Sequence, residues 1–152
     1  MTETAVRTDQ TQINMKDGAT IALLAAWVLA LFAAAAVLFI GEVMGQQPCV
    51  LCWYQRAAMF PLALLLGIAA WRGDLGVWRY ALPITGAGIL IAAFHTLLYY
   101  GVIPESIEPC GAGPSCTDAA MTILELPIPV LSLAAFVGLS MLLVEVRKGE
   151  PR

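Results

Sequence analysis

Charged side chains are scarce in this chain: Asp, Glu, Lys and Arg make up 12% of its 152 residues, against about 25% in soluble domains. Hydrophobic residues take 60% and the mean hydropathy is +0.81, more apolar sequence than a water-soluble core of this size absorbs. The little charge present leans acidic, with a net of −3. No basic field is available to attract a polyanion, and nucleic-acid binding is excluded. The length allows one compact domain.

Charge is missing altogether from Thr20 to Ile40, and roughly 20 apolar residues at a rise of about 1.5 Å cross the ~30 Å hydrocarbon layer. The same reasoning gives four spans, at residues 20–40, 53–71, 80–100 and 127–144. Arg72, Gly73 and Asp74 close the second span, Pro61 is its candidate kink, and Pro83 falls in the first turn of the third. Trp53, Trp71, Trp78, Tyr80, Tyr99 and Tyr100 gather at the span ends, where amphipathic rings favour the interface. A cleaved signal peptide fits the first span poorly, because such apolar regions run about 7–15 residues and Ala33 to Ala36 lie inside this run. Residues 1–19 read as a polar, solvated amino-terminal tail and 146–152 as a carboxyl tail. The expected fold is all-α, a four-transmembrane-helix bundle in a lipid bilayer.

Arg7, Lys16, Arg72, Arg79, Arg147, Lys148 and Arg152, seven of the eight basic residues, fall in the two tails and the second connection. Cytoplasmic flanks carry the excess of Lys and Arg, so both termini are expected inside and the first and third connections outside. All four cysteines lie in those two outer loops. Thiols there escape the cytoplasmic reductants, and an even count suggests disulfides. Four cysteines allow three connectivities, of which local pairing, Cys49 with Cys52 and Cys110 with Cys116, is the easiest to close.

Two short disulfides would make weak staples, since closing so small a loop removes little entropy from the unfolded chain. A C-x-x-C at the start of a helix suits a redox switch instead: unpaired N–H groups place partial positive charge there, and its thiols commonly fall below the free value near about 8.5. Arg56 lies four residues after Cys52, one turn further along and on the same face. It either snorkels to headgroups or places a fixed positive charge beside a Cys52 thiolate or an anionic acceptor in a low-dielectric site. Zinc would require four thiolates at an uncommon spacing, so no metal is expected. A stapled, non-catalytic membrane protein is the bland alternative.

The run Cys49-Val50-Leu51-Cys52-Trp53-Tyr54-Gln55-Arg56 resembles the segment of the disulfide bond formation protein B (DsbB) family in which an arginine follows a C-x-x-C by one turn. The resemblance continues through His95-Thr96 and through Ile128-Pro129-Val130-Leu131-Ser132-Leu133, and is to the shorter members of the family. Only the amino-terminal tail lies outside it.

That resemblance implies a bacterial cytoplasmic (inner) membrane enzyme that carries electrons from a thioredoxin-fold, DsbA-like dithiol oxidase to a respiratory quinone, ubiquinone or menaquinone. Cys110 would form the mixed disulfide with the partner, Cys110–Cys116 would pass electrons to Cys49–Cys52, and Cys52 would face the quinone near Arg56. Oxidases of the DsbA type lie near about −120 mV, so a quinone is a suitable sink. A lone histidine in an apolar helix is more often a packing residue, but the resemblance assigns His95 to quinone binding or proton handling. Residues 117–126 could form a short interfacial helix behind the second pair. A vitamin K epoxide reductase-like enzyme is the competing reading, but its C-x-x-C lies on the last span, not before the second.

Overall fold

The computed structural model describes residues 2–104, 122–123 and 126–150. Its long helices are α1 (Thr2–Leu38), α2 (Val50–Arg72), α3 (Trp78–Tyr99) and α4 (Ile128–Lys148). A π-helical turn, Phe39–Val43, follows α1, and a 3₁₀ turn, Leu75–Val77, leads into α3. The helices pack in cyclic order, α1 on α2, α2 on α3, α3 on α4 and α4 back on α1. Met15–Val43, Val50–Arg72, Leu75–Tyr99 and Ile128–Lys148 are each long and apolar enough to cross a membrane.

Three boundaries differ from the sequence reading. Helix α1 begins at Thr2, so the segment read as a polar, solvated tail has helical backbone; no Gly or Pro interrupts it before Gly18. Helix α4 extends to Lys148, with Arg147 and Lys148 in its last turn, where cations complement the helix dipole. Within residues 117–126 no helix appears among the described positions: Thr122–Ile123 and Leu126–Pro127 form an antiparallel strand pair, β1 and β2. Leu126 precedes a proline, which disfavours the α region for it.

Packing is arranged for lipid. In α1, Ala19, Ala22, Leu23, Ala26, Ala30 and Ala34 are buried, a three-and-four spacing that puts mostly small side chains on one stripe. Ile21, Leu24, Val28, Leu31 and Phe32 point outward and are exposed. Lipid is as apolar as these side chains, so helix association depends on close backbone approach through small residues. Leu62 and Leu66 of α2, Ala81 and Ala92 of α3, and Phe136, Leu139, Leu143 and Val146 of α4 fill the centre. Phe136 packs directly against Gly88, where a Cβ would approach its ring to 2.3 Å.

The two ends of the bundle differ in chemistry. At one, Arg79 pairs with Glu150 at 3.0 Å, Trp78 Nε1 donates to Glu150 Oε2 at 2.6 Å, and the Arg147 guanidinium lies over the Trp78 ring. The other end holds the start of α2, with Cys49 and Cys52, and the last turns of α3, with His95. The site lies there.

Candidate active site

Pro48 and Cys49 set the start of α2. Cys49 is the N-cap, with extended backbone (φ −71°, ψ 170°), and its sulfur accepts from the backbone N–H of Cys52 at 3.4 Å. It occupies the position that serine or aspartate usually fills, and the C-x-x-C spacing makes Cys52 the N3 residue whose free N–H an N-cap side chain satisfies. The same spacing brings the two sulfurs to 3.0 Å, within hydrogen-bonding distance of each other. Both thiols are free here, Cys49 fully buried and Cys52 partly so. The Cys52 thiol, with His95 adding to it, holds the Cys49 thiol well below its ordinary value against burial, which acts the other way.

Cys49 faces α3. Its sulfur lies 3.8 Å from His95 Nε2, and the other ring nitrogen, Nδ1, is 3.1 Å from the Gln55 amide nitrogen. His95 is 0% exposed and Gln55 7%, so this hydrogen-bonded chain is sealed between α2 and α3. A buried polar chain of this kind persists only when its members satisfy one another. Gln55 is the participant that the sequence reading did not count among the site residues. Its position three residues after Cys52 puts it on the same face, but nothing in one sequence pairs it with a histidine 40 residues away.

Cys52 faces the opposite way, into a cavity of about 430 Å³ between α1, α2 and α4. Cys52, Gln55 and Arg56 supply its polar wall; Ala33, Val37, Met59, Ala135 and Phe136 are among its apolar lining. Phe32 and Leu131, which also line it, are exposed on the outer surface of the bundle, so the cavity meets the lipid-facing side. Gln55 therefore belongs to both faces of the motif and links His95 to the cavity.

Arg56 is 7% exposed. Its Nη2 donates to the Val37 carbonyl at 3.1 Å and its guanidinium lies 5.4 Å from the centre of the Trp53 ring. The side chain crosses to α1 instead of reaching out to headgroups. Gly41, in the π-helical turn, makes room for it, since a Cβ there would lie 3.1 Å from Nη2; such turns often mark functional positions. Arg56 Nε is buried with no hydrogen-bond partner among the described residues.

Of the six residues expected to act, Cys49, Cys52, Arg56 and His95 meet at one end of the bundle, with His95 beside Cys49 and Gln55 and outside the cavity lining. Cys110 and Cys116 lie outside the described residues.

A four-helix bundle with an apolar outer surface and a vicinal dithiol at one end defines a membrane protein of thiol–disulfide chemistry. The family model described as disulfide bond formation protein DsbB matches residues 18–146. A disulfide formation protein of Metapseudomonas resinovorans is 55% identical over 128 residues, covering 83% of this chain and 89% of the relative. Disulfide bond formation protein C of Bacillus subtilis is 39% identical over 129 residues, covering 84% and 93%, and a disulfide formation protein of Deinococcus radiodurans is 41% identical over 121 residues, covering 73% and 78%. No solved structure matches the chain. The chain belongs to the DsbB family and is a disulfide-forming, multi-pass membrane protein.

Proposed function

We propose that the protein reoxidises a thioredoxin-fold dithiol oxidase outside the cytoplasm and delivers the electrons to a respiratory quinone. The observation that carries this reading is the placement of Cys52 and Arg56 on one apolar cavity that meets the lipid-facing surface. A planar, apolar quinone ring with carbonyl oxygens suits that enclosure, because the buried Arg56 Nε–H has no partner among the described residues and is available to an oxygen acceptor. When bound, a quinone accepts two electrons and two protons.

The chain's own residues divide the remaining work. The partner's dithiol reduces Cys110–Cys116 and itself becomes a disulfide, with Cys110 forming the mixed disulfide. A thiolate of that pair attacks Cys49 Sγ; the Cys49–Cys52 bond breaks, and Cys52 leaves as a thiolate beside the cavity. The second outer thiol then displaces Cys49, closing Cys110–Cys116 and leaving the inner pair reduced by two electrons and two protons. His95 takes and returns the Cys49 proton, held in place by Gln55, while Arg56 presents its fixed positive charge to the acceptor in the cavity. The basic end of the bundle faces the cytoplasm, with both termini, and the cysteine end faces outward, as the distribution of Lys and Arg requires.

The test is reconstitution of the purified chain with a quinone and a reduced thioredoxin-fold oxidase, followed through quinone absorbance. Wild type reduces the quinone and Cys52→Ser does not. No reduction by wild type, or an unchanged rate in Cys52→Ser, overturns the proposal.

A further inference from the structure

Cys49 Sγ, Cys52 Sγ and a ring nitrogen of His95 all lie within 4.8 Å of one another, Cys49 and His95 buried and Cys52 partly so. We infer that the reduced inner pair, together with His95, is a binding site for a thiophilic divalent cation such as Zn²⁺, and that occupancy withdraws the reduced enzyme from turnover. This site is distinct from the four-thiolate arrangement considered from the sequence, because it uses only one cysteine pair and a histidine.

The distances fit with little movement. Zinc holds sulfur at about 2.3 Å and nitrogen at about 2.0–2.1 Å, so tetrahedral ligands are separated by about 3.8 Å for two sulfurs and about 3.6 Å for sulfur and nitrogen. Here Cys49 and Cys52 are 3.0 Å apart and Cys49 is 3.8 Å from His95 Nε2. Cys52 Sγ already lies within 4.8 Å of the ring nitrogen, so a turn of Cys52 about its side-chain torsion has to widen the gap between the sulfurs while bringing its own toward His95. Two thiolates and an imidazole leave a fourth position for water.

Gln55 is the second observation. Metal-bound histidines almost always hydrogen-bond through their other nitrogen, which fixes ring orientation and tautomer. The Gln55 amide meets Nδ1 at 3.1 Å and can present either its N–H or its C=O. Donating, it leaves Nε2–H directed at the Cys49 sulfur; turned over, it accepts from Nδ1–H and frees the Nε2 lone pair for a cation. Binding replaces the thiol protons, which are released, and no electrons are transferred. The oxidised pair has no thiolate to offer, so the site exists only while the enzyme carries electrons.

The full-length chain in detergent micelles, reduced with a phosphine, is titrated with Zn²⁺ against a chromophoric chelator, and Co²⁺ absorption reports the coordination. Reduced protein takes up one Zn²⁺ with a tetrahedral, thiolate-containing Co²⁺ spectrum, and disulfide-containing protein takes up none. Uptake persists in Cys110→Ser/Cys116→Ser, while His95→Gln, which keeps a polar side chain without the imidazole, and Gln55→Ala each weaken it about 10–100-fold. No uptake by the reduced protein, unchanged affinity in His95→Gln, or loss of uptake in the outer-pair variant overturns the proposal. The readout needs neither quinone nor partner, so zinc uptake without quinone reduction would sink the relay alone, and the converse would sink only the metal site.

Discussion

The guanidinium of Arg56 occupies the space that Gly41 leaves open: a Cβ on Gly41 would lie 3.1 Å from Nη2 and 3.4 Å from Nη1. Gly41 is on the π-helical turn after α1 and Arg56 is one turn beyond Cys52 in α2, so a residue with no side chain sets the direction of the one cation buried among the described residues. The backbone carbonyl of Val37 completes the seat.

Gly41→Val should therefore act on the acceptor side without touching a sulfur. The isopropyl group displaces the guanidinium from the cavity wall, and the KM for a soluble quinone analogue should rise about tenfold, equivalent to about 1.4 kcal/mol. Gly41→Ala, whose methyl needs only a few tenths of an ångström, should shift it less. Steady-state kinetics with quinone varied and reduced partner saturating measures both; an unchanged KM in Gly41→Val would separate Arg56 from the acceptor.

Arg56 itself gives a larger effect. A preorganised donor aimed at developing charge in a water-poor site is worth about 10²–10³ in rate, and Arg56→Met, which keeps much of the stem volume, should reduce quinone turnover by about 10²-fold while leaving the helical circular dichroism intact. Arg56→Lys should recover only part of the activity, because an ammonium lacks the planar fork that reaches Val37 and the cavity together. Equal activity in Lys and Arg proteins would reduce the residue's role to charge alone.

The reduced inner pair should titrate unusually. In Cys110→Ser/Cys116→Ser, where Cys49 and Cys52 are the remaining thiols, the Cys49 thiolate is held by the Cys52 thiol and His95 and its pKa is lowered. A lowered thiol stays charged as pH falls below the ordinary value of about 8.5, so thiolate ultraviolet absorbance should persist into acid solution. Adding Cys52→Ala removes the principal donor and should move the titration back upward. Thiolate absorbance that vanishes on acidification just below that ordinary value would contradict the hydrogen-bonded pair.

Much of this arrangement was legible in the residues. The absence of charge from Thr20 to Ile40 and the aromatic boundaries located the spans, and the C-x-x-C followed by Arg56 located the site. Helical periodicity put Cys52 and Arg56 on one face, and they do share one cavity. Pairings between helices were not legible. His95 and Gln55 meet because α2 packs on α3, and Gly41 meets Arg56 because α1 packs on α2; hydropathy carries no information about which rotation each helix takes. The helical backbone from Thr2 was hidden by polarity, which argues against burial and says little against a helix.

Gly88 offers a test of how closely the bundle packs. A Cβ at this position would come within 2.3 Å of Phe136 Cε1 and 2.5 Å of Cδ1, and Phe136 is 0% exposed, so its ring can retreat only toward the cavity it lines. Overpacking of this kind costs about 1–3 kcal/mol, and Gly88→Ala should lower the thermal midpoint of the detergent-solubilised protein accordingly. The same ring lines the cavity, so its displacement should also raise the KM for quinone. The double variant Gly88→Ala/Phe136→Leu relieves the clash and should recover part of the lost stability. If Gly88→Ala alone leaves the midpoint unchanged, α3 and α4 are not packed as closely as the Gly88–Phe136 contact requires.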